Sequence, residues 1–479
     1  MNRPLKRRVV VWVLLASLVA AGCGVRRPYV APALSVPPSW NSRLGASAEG
    51  GEEALAAWWG AFGDPQLTSL VTRGVAGNLD VRTAVSRVRE ARASARAARA
   101  PLAPAVDALA SARGSGTGGE AGFGGTTQSY SLGLDASWEL DVFGGLRSGA
   151  EAAAATADAR AADARDVLVG LAAEVALDYI DVRSTQQRIA IARSNVALQE
   201  QTLDLTRLRQ QAGLGTELEV QQALANVETT RGQIALLEGQ AVRAVHALSV
   251  LLGQAPQALA AELAAPAPVP SAPLDLAVGV PADAIRRRPD VRSAERQLAA
   301  QASQVNVARA DLYPTFRLAG SIGLESLSVA KLLLPGASFW SASPSASTRL
   351  FNRRQLRENL AVQGERETQA AVAYESRVLG ALRDVEDSLT SLAQEDVRRG
   401  HLAAASDAAQ QAADLSLQLY TAGLRDFRDV LDAQRSLLTL QDSLASSMAS
   451  VSTDLVRLYK ALGGGWSAET LASPTALQP

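Results

Sequence analysis

The 479-residue sequence predicts a mixed α/β membrane protein built of two similar halves, each giving two amphipathic strands and one long helical hairpin. Three observations lead there: an internal repeat, strict alternation in a strand-like segment, and two Pro-free stretches with seven-residue apolar spacing. The repeat is direct. Leu79-Asp80-Val81-Arg82-Thr83-Ala84 returns as Pro289-Asp290-Val291-Arg292-Ser293-Ala294, and Pro104 returns as Pro314. Ala212-Gly213-Leu214 returns as Ala422-Gly423-Leu424, and Leu252-Gly253 as Leu462-Gly463, at an offset of about 210 residues. Solenoid units run at roughly 20–50 residues, so this is a duplicated half-protein.

The alternation is clearest in the first half. Leu132, Leu134, Ala136, Trp138, Leu140 and Val142 face one way, and Ser131, Gly133, Asp135, Ser137, Glu139 and Asp141 the other. That pattern is a strand with one apolar and one wet face. A second strand is expected at about 105–113, with a Gly/Ser/Thr-rich loop over 114–128. In the second half Phe316, Leu318, Ile322 and Leu324 alternate with Arg317, Ser321 and Glu325, and a fourth strand is expected at about 339–351. Pro344 inside it predicts an edge, a bulge or deformed pairing.

Each strand pair is followed by a long helical stretch. No Pro occurs from Gly145 to Gln211, and Leu168, Val175, Val182, Ile189, Val196 and Leu203 fall seven apart, a coiled-coil seam. Leu177, Ser184, Ile191, Leu198 and Leu205 form a second line on nearly the opposite side, so the helix is expected to have a neighbour on each side. After a turn at Ala212-Gly213-Leu214-Gly215 the chain returns with Val220, Val227, Ile234, Ala241 and Leu248, matched in the second half by Val430, Leu437, Leu444, Val451 and Leu458. Asp64 before Pro65 is a helix N-cap signal.

The leader carries Arg3, Lys6, Arg7 and Arg8, then a short apolar run from Val9 to Ala20. Twelve helical residues span about 18 Å, short of a bilayer core of about 30 Å, so residues 1–22 read as a signal peptide. Ala20-Ala21-Gly22-Cys23 resembles a bacterial lipobox, which implies a lipid on Cys23, the single Cys of the chain; Gly24 after it implies sorting to the outer membrane. The other reading is an ordinary cleavage site with an incidental cysteine.

Lys and Arg total 47 against 48 Asp and Glu, which gives no reason to expect a nucleic-acid partner. His246 and His401 are isolated, and no nucleophile triad, paired carboxylates or phosphate-binding loop stands out. No enzyme, metal or cofactor is expected beyond the covalent lipid. The chain is expected to divide into a signal peptide 1–22, a Pro-rich lipidated segment 23–63, a first repeat 64–253 with strands at about 105–113 and 131–143 and helical hairpin 145–252, a linker 254–282, a second repeat 283–463 with strands at about 315–325 and 339–351 and helical hairpin 353–462, and a flexible tail 464–479.

Four strands of this length suit a membrane but cannot close a barrel, and open strand edges are not tolerated in lipid. The chain must oligomerise: two copies give eight strands, three give twelve and room for a lumen. Trp138, Trp340 and Phe316 suit interfacial belts.

Several stretches together resemble the outer-membrane efflux protein family, the TolC-like channels, and within it the OprM-type lipoproteins. They are Trp58-Trp59 with Phe62-Gly63-Asp64-Pro65, Trp138-Glu139-Leu140-Asp141 with Phe143-Gly144, Arg287-Arg288-Pro289-Asp290, Tyr313-Pro314, Leu431-Asp432-Ala433-Gln434-Arg435-Ser436 and Tyr459-Lys460-Ala461-Leu462-Gly463-Gly464-Gly465-Trp466. The resemblance implies a homotrimer with a 12-stranded barrel in the outer membrane, continued by a periplasmic helical tunnel. It implies a periplasmic adaptor protein and an inner-membrane pump of the resistance-nodulation-division type as partners. It places a gate at the periplasmic tip, with Asp432 and Tyr420 at matching positions and Phe427 beside them. Thr421 and Arg428 depart from the family pattern, and an Arg428–Asp432 pair one helical turn apart is expected there. The tip turns Gly213, Leu214, Gly215, Thr216 and Gly423, Leu424, Arg425, Asp426 are the expected adaptor contacts. A type I protein secretion channel and a pore-free coiled-coil lipoprotein are the alternatives.

Overall fold

The computed structural model describes residues 25–33, 36–41, 55–118, 125–274, 281–351 and 353–466. The signal peptide, Cys23, Gly24 and residues 467–479 lie outside them. The chain forms two compact units. Of the described residues, the first takes those within 1–34, 87–161 and 293–376, the second those within 35–86, 162–292 and 377–479.

The first unit is built on a four-stranded antiparallel sheet in sequence order: β1 (Ala105–Thr117), β2 (Gly125–Leu140), β3 (Thr315–Ser326) and β4 (Ser338–Ser347). The pairing register keeps one face apolar across all three ladders. Val106 opposes Ala136, Ala108 opposes Leu134, Leu134 opposes Ile322, and Ile322 opposes Trp340. The other face carries Asp107 opposite Asp135, Asp135 opposite Ser321, and Ser321 opposite Ser341. A one-residue slip would exchange the faces, so the side-chain pattern fixes the register. Pro344 sits opposite Leu318 in β4, which is an edge strand within the chain.

Several strand ends differ from expectation. The Gly/Ser/Thr-rich residues expected as a loop over 114–128 largely continue the ladder, Gly114 pairing with Gln128 and Ser115 with Thr127. Backbone hydrogen bonds extend there without apolar side chains to mark them. At its other end β2 stops at Leu140 rather than 143. The Asp141 carboxylate turns inward to accept the backbone amides of Leu146 (3.0 Å) and Arg147 (2.9 Å), capping the next helix instead of prolonging the strand. β4 likewise ends at Ser347, four residues before the expected 351.

The α-helices among the described residues are α1 (Pro65–Gly77), α2 (Leu79–Arg99), α3 (Gly145–Gln211), α4 (Glu217–Leu251), α5 (Pro281–Arg287), α6 (Pro289–Ala310), α7 (Arg353–Thr421) and α8 (Phe427–Ala461). Asp64 caps α1, accepting from the amides of Gln66 (2.8 Å) and Leu67 (3.0 Å). In the second unit the α3 seam is buried throughout, Leu168, Val175, Val182, Ile189, Val196 and Leu203 all lying below 10% exposure. The second line is only half-buried at Leu177, Ile191, Leu198 and Leu205. The core gathers around Trp58, which is 1% exposed, stacks on Tyr459 at 5.2 Å and meets Phe62 edge-on. Gly464 and Gly465 are buried against it, and the Arg165 guanidinium lies 4.8 Å from the Trp466 ring centre. Gly464-Gly465-Trp466, expected as the start of a flexible tail, instead close the core, and the rest of that expectation, 467–479, lies outside the described residues.

The duplication also survives as a contact. The Asn78 side-chain amide donates to the Leu251 carbonyl at 2.9 Å. At the equivalent place in the second copy, the Arg288 guanidinium donates to the Ala461 carbonyl at 2.8 Å. Different side chains satisfy the same helix-end carbonyl.

Candidate functional site

The expected site residues gather at the two helical turns of the second unit. The turns share one design. Gly213 (φ +75°) and Gly423 (φ +74°) adopt the left-handed conformation that ends a helix. Leu214 N–H donates to the Arg209 carbonyl at 2.8 Å, and Leu424 N–H to the Leu419 carbonyl at 2.9 Å, closing each C-terminus. Leu214 and Leu424 are each 69% exposed, so both turns present an apolar side chain to solvent.

Beyond the glycines the turns diverge. Thr216 starts α4 with a reciprocal capping box: its hydroxyl accepts from Glu219 N–H at 3.3 Å, and the Glu219 carboxylate accepts from Thr216 N–H at 3.0 Å. Asp426 starts α8 without a side-chain cap. Phe427 replaces that local stability with packing. It is 2% exposed and meets the buried Tyr420 ring at 5.4 Å, in a cluster with Val196, Leu203, Val220, Val227, Val430 and Leu431. Burial pushes the Tyr420 phenol up and keeps it neutral. Thr421 is exposed, its hydroxyl donating back to the Gln418 carbonyl at 2.7 Å.

The expected Arg428–Asp432 ion pair does not form. Both side chains are exposed, and the i,i+4 pair at this end is Arg425–Asp429, at 3.6 Å. Spacing alone admitted both pairs, and the pair at the helix start is the one formed within the chain.

Arg209 is the residue that the sequence reading missed. Its guanidinium lies 4.6 Å from the Tyr420 ring centre and donates to the carbonyls of Tyr420 (3.3 Å) and Thr421 (3.4 Å). It therefore ties the first turn to the negative end of α7. It also ends a polar ladder on α3. Arg188 pairs with Asp442 at 2.7 Å, Asn195 donates its side-chain amide N–H to the Gln441 side-chain carbonyl oxygen at 2.8 Å, and Thr202 accepts from Gln434 at 2.8 Å. Positions 188, 195, 202 and 209 are seven apart, one residue before the apolar seam. That spacing was the available signal.

The family model described as outer membrane efflux protein matches residues 71–254 and 280–464, once on each half. The chain belongs to the outer membrane efflux protein family. It is 33% identical over 461 residues to Nodulation protein T of Rhizobium leguminosarum bv. viciae, covering 95% of this chain and 94% of that protein. It is 33% identical to the pyoverdine export outer membrane protein OpmQ of Pseudomonas aeruginosa, covering 95% and 97%. The solved outer-membrane channel OprN superposes with a TM-score of 0.86 at 34% identity, over 91% of this chain and 99% of that one. The protein is thus an outer-membrane efflux channel with the TolC-like fold, a relationship the motif resemblance had implied. The Tyr420–Phe427 cluster with its Arg209 tie holds the two turns together within one chain.

Proposed function

We propose that this channel is the exit duct of a tripartite efflux pump. Three chains close a twelve-stranded barrel, a periplasmic adaptor meets the tips at Gly213–Thr216 and Gly423–Asp426, and a resistance-nodulation-division pump drives export. Transport through the duct is passive, with no bond made or broken and no cofactor. A lipid on Cys23 anchors the mature N-terminus to the outer membrane, and loss of labelling by radioactive palmitate in Cys23→Ser is its test. A pyoverdine exporter among the relatives favours small-molecule cargo over secreted proteins.

The gate is at the tips, and Tyr420, Thr421, Phe427, Arg428 and Asp432 form it. The supporting observation is the division of labour on α8. Phe427, Val430 and Leu431 are buried on one side, which leaves Arg428 and Asp432 exposed on the other. Around a threefold axis, that exposed side brings three cations and three carboxylates to the constriction, where each finds a partner in a neighbouring chain. Single-channel conductance in planar bilayers tests this. Arg428→Ala and Asp432→Ala should each raise conductance and sensitise cells to a large antibiotic; unchanged conductance in both refutes the gate.

A further inference from the structure

The four crossings between sheet and helices, all in the first unit, share a feature that the gate and the tunnel do not use. Each carries an arginine six or seven residues past its strand. Arg99 precedes Ala105, Arg147 follows Leu140, Arg309 precedes Thr315 and Arg353 follows Ser347. Arg96, Arg354 and Arg357 lie one turn or less further along. Arg96, Arg99, Arg353, Arg354 and Arg357 are exposed, and none makes an ion pair among the described residues. Much of the acidic charge nearby is engaged: Asp141 caps α3, Glu139 pairs with Arg317, and Glu151 pairs with Arg26. Asp311 and Glu358 leave a surplus of positive charge.

Two independent observations set the level of this collar. Phe143 stacks on Tyr313 at 4.7 Å and approaches Phe316 at 6.4 Å, while Trp138 donates its indole N–H to the Leu102 carbonyl at 3.1 Å. Trp138 and Tyr313 are amphipathic aromatics at the ends of apolar strands, of the kind that marks a lipid–water boundary. The N-terminal strap reaches the same place. Arg27 exchanges two hydrogen bonds with Asn306, its N–H donating at 3.0 Å and its carbonyl accepting at 2.9 Å. Arg309 donates to the Val25 carbonyl at 3.3 Å. The strap is therefore fixed to α6 two residues after Cys23.

We propose that these arginines form a collar that binds anionic phospholipid headgroups of the periplasmic leaflet. The proposal rests on the strands spanning the outer membrane, with hairpin ends outside and helix ends inside. Guanidinium groups suit phosphate, offering paired N–H donors to its oxygens. Headgroup level is where arginines attract anionic lipid, and the attraction weakens with salt. The opposite end of the sheet lacks such a cluster among its described residues, where Lys331 is the basic residue of the β3–β4 connection. The collar's charge selects among headgroups, whereas the aromatics set depth for any lipid.

The test uses the purified full-length channel, exchanged into an equal excess of phosphatidylglycerol and phosphatidylcholine of matched chains, with retained lipids counted by native mass spectrometry. The protein should retain phosphatidylglycerol over phosphatidylcholine by on the order of tenfold, and the preference should fall as salt rises. The Arg99→Gln/Arg353→Gln/Arg354→Gln variant should lose it, while Lys331→Gln keeps it. Equal retention by the unsubstituted channel overturns the collar, as does a preference that survives in the triple variant. If the triple variant does not assemble, the single Arg354→Gln variant and the salt titration decide. Conductance in phosphatidylcholine bilayers is read alongside. A channel that conducts but shows no lipid preference refutes the collar alone, whereas failure to conduct or insert refutes the membrane reading beneath it.

Discussion

Arg209 links the two turns that the proposed gate uses as its tips. The first turn is capped from within, because Thr216 and Glu219 satisfy each other's amides. The second lacks a side-chain cap and depends on Phe427 and Tyr420, and Arg209 closes over Tyr420 from the first hairpin. One cation over a partly buried ring, donating also to helix-end carbonyls, contributes about 1–2 kcal/mol. Losing that amount shifts a two-state equilibrium by roughly 5–30-fold. Arg209→Gln should therefore raise the open probability of single channels by about that factor, and Arg209→Lys, which keeps the charge but not the planar fork, should fall between. Gating in Arg209→Gln that matches the unsubstituted protein would show that the contact is only structural.

At the scale of elements, α3 carries both the most legible and the least legible information in the chain. Its apolar seam could be read directly, because seven-residue spacing and burial have the same cause. The polar ladder beside it shows the same spacing, but its partners could not be read, since Arg188 and Asp442 are 254 residues apart and nothing in either segment names the other. The strand interiors were legible by alternation, and their ends were not. Asp141 continues the alternating pattern yet spends its carboxylate on helix amides, and Gly114 to Thr117 extend β1 with no apolar mark. Tyr420 and Asp432 were assigned by family resemblance, whereas Arg209 needed the fold. A further property of α3 arises only once it is packed. Asp178 lies between Glu174 and Asp181, one turn away on either side, and its pKa is pushed up to about 6, first by burial and then by these two carboxylates. A carboxyl raised in this way favours the fold while protonated. Its stabilisation is complete below about pH 3.8 and is lost as pH climbs through about 6. Asp178→Asn should therefore raise the thermal midpoint at pH 7.5, leave it nearly unchanged below pH 4, and flatten its slope between, as followed by circular dichroism in detergent. An equal gain at every pH would assign the effect to packing rather than to charge.

For the whole molecule, the two faces of the sheet must meet two solvents. Leu134, Ile322 and Trp340 form one continuous apolar row and are 50%, 63% and 80% exposed in the single chain, too large an uncovered band for water. Behind that row, Asp107 and Asp135 stand directly opposite each other, which like charges tolerate only where water screens them. Among the described residues the strand edges at β1 and β4 are both open, so neighbouring chains must pair there before the sheet can sit in lipid. Closure in the proposed trimer turns the apolar row outward and the aspartates toward a lumen. Adjacent positions on β2 then give opposite phenotypes. Leu134→Lys places a charge in hydrocarbon at a cost of about 2–4 kcal/mol and should weaken assembly, measured as loss of the heat-resistant oligomer on gels. Asp135→Lys faces water and should assemble normally, but its open channels should shift from cation towards anion preference in bilayers held across a salt gradient. Assembly lost in Asp135→Lys and kept in Leu134→Lys would mean that the faces are reversed, and with them the barrel.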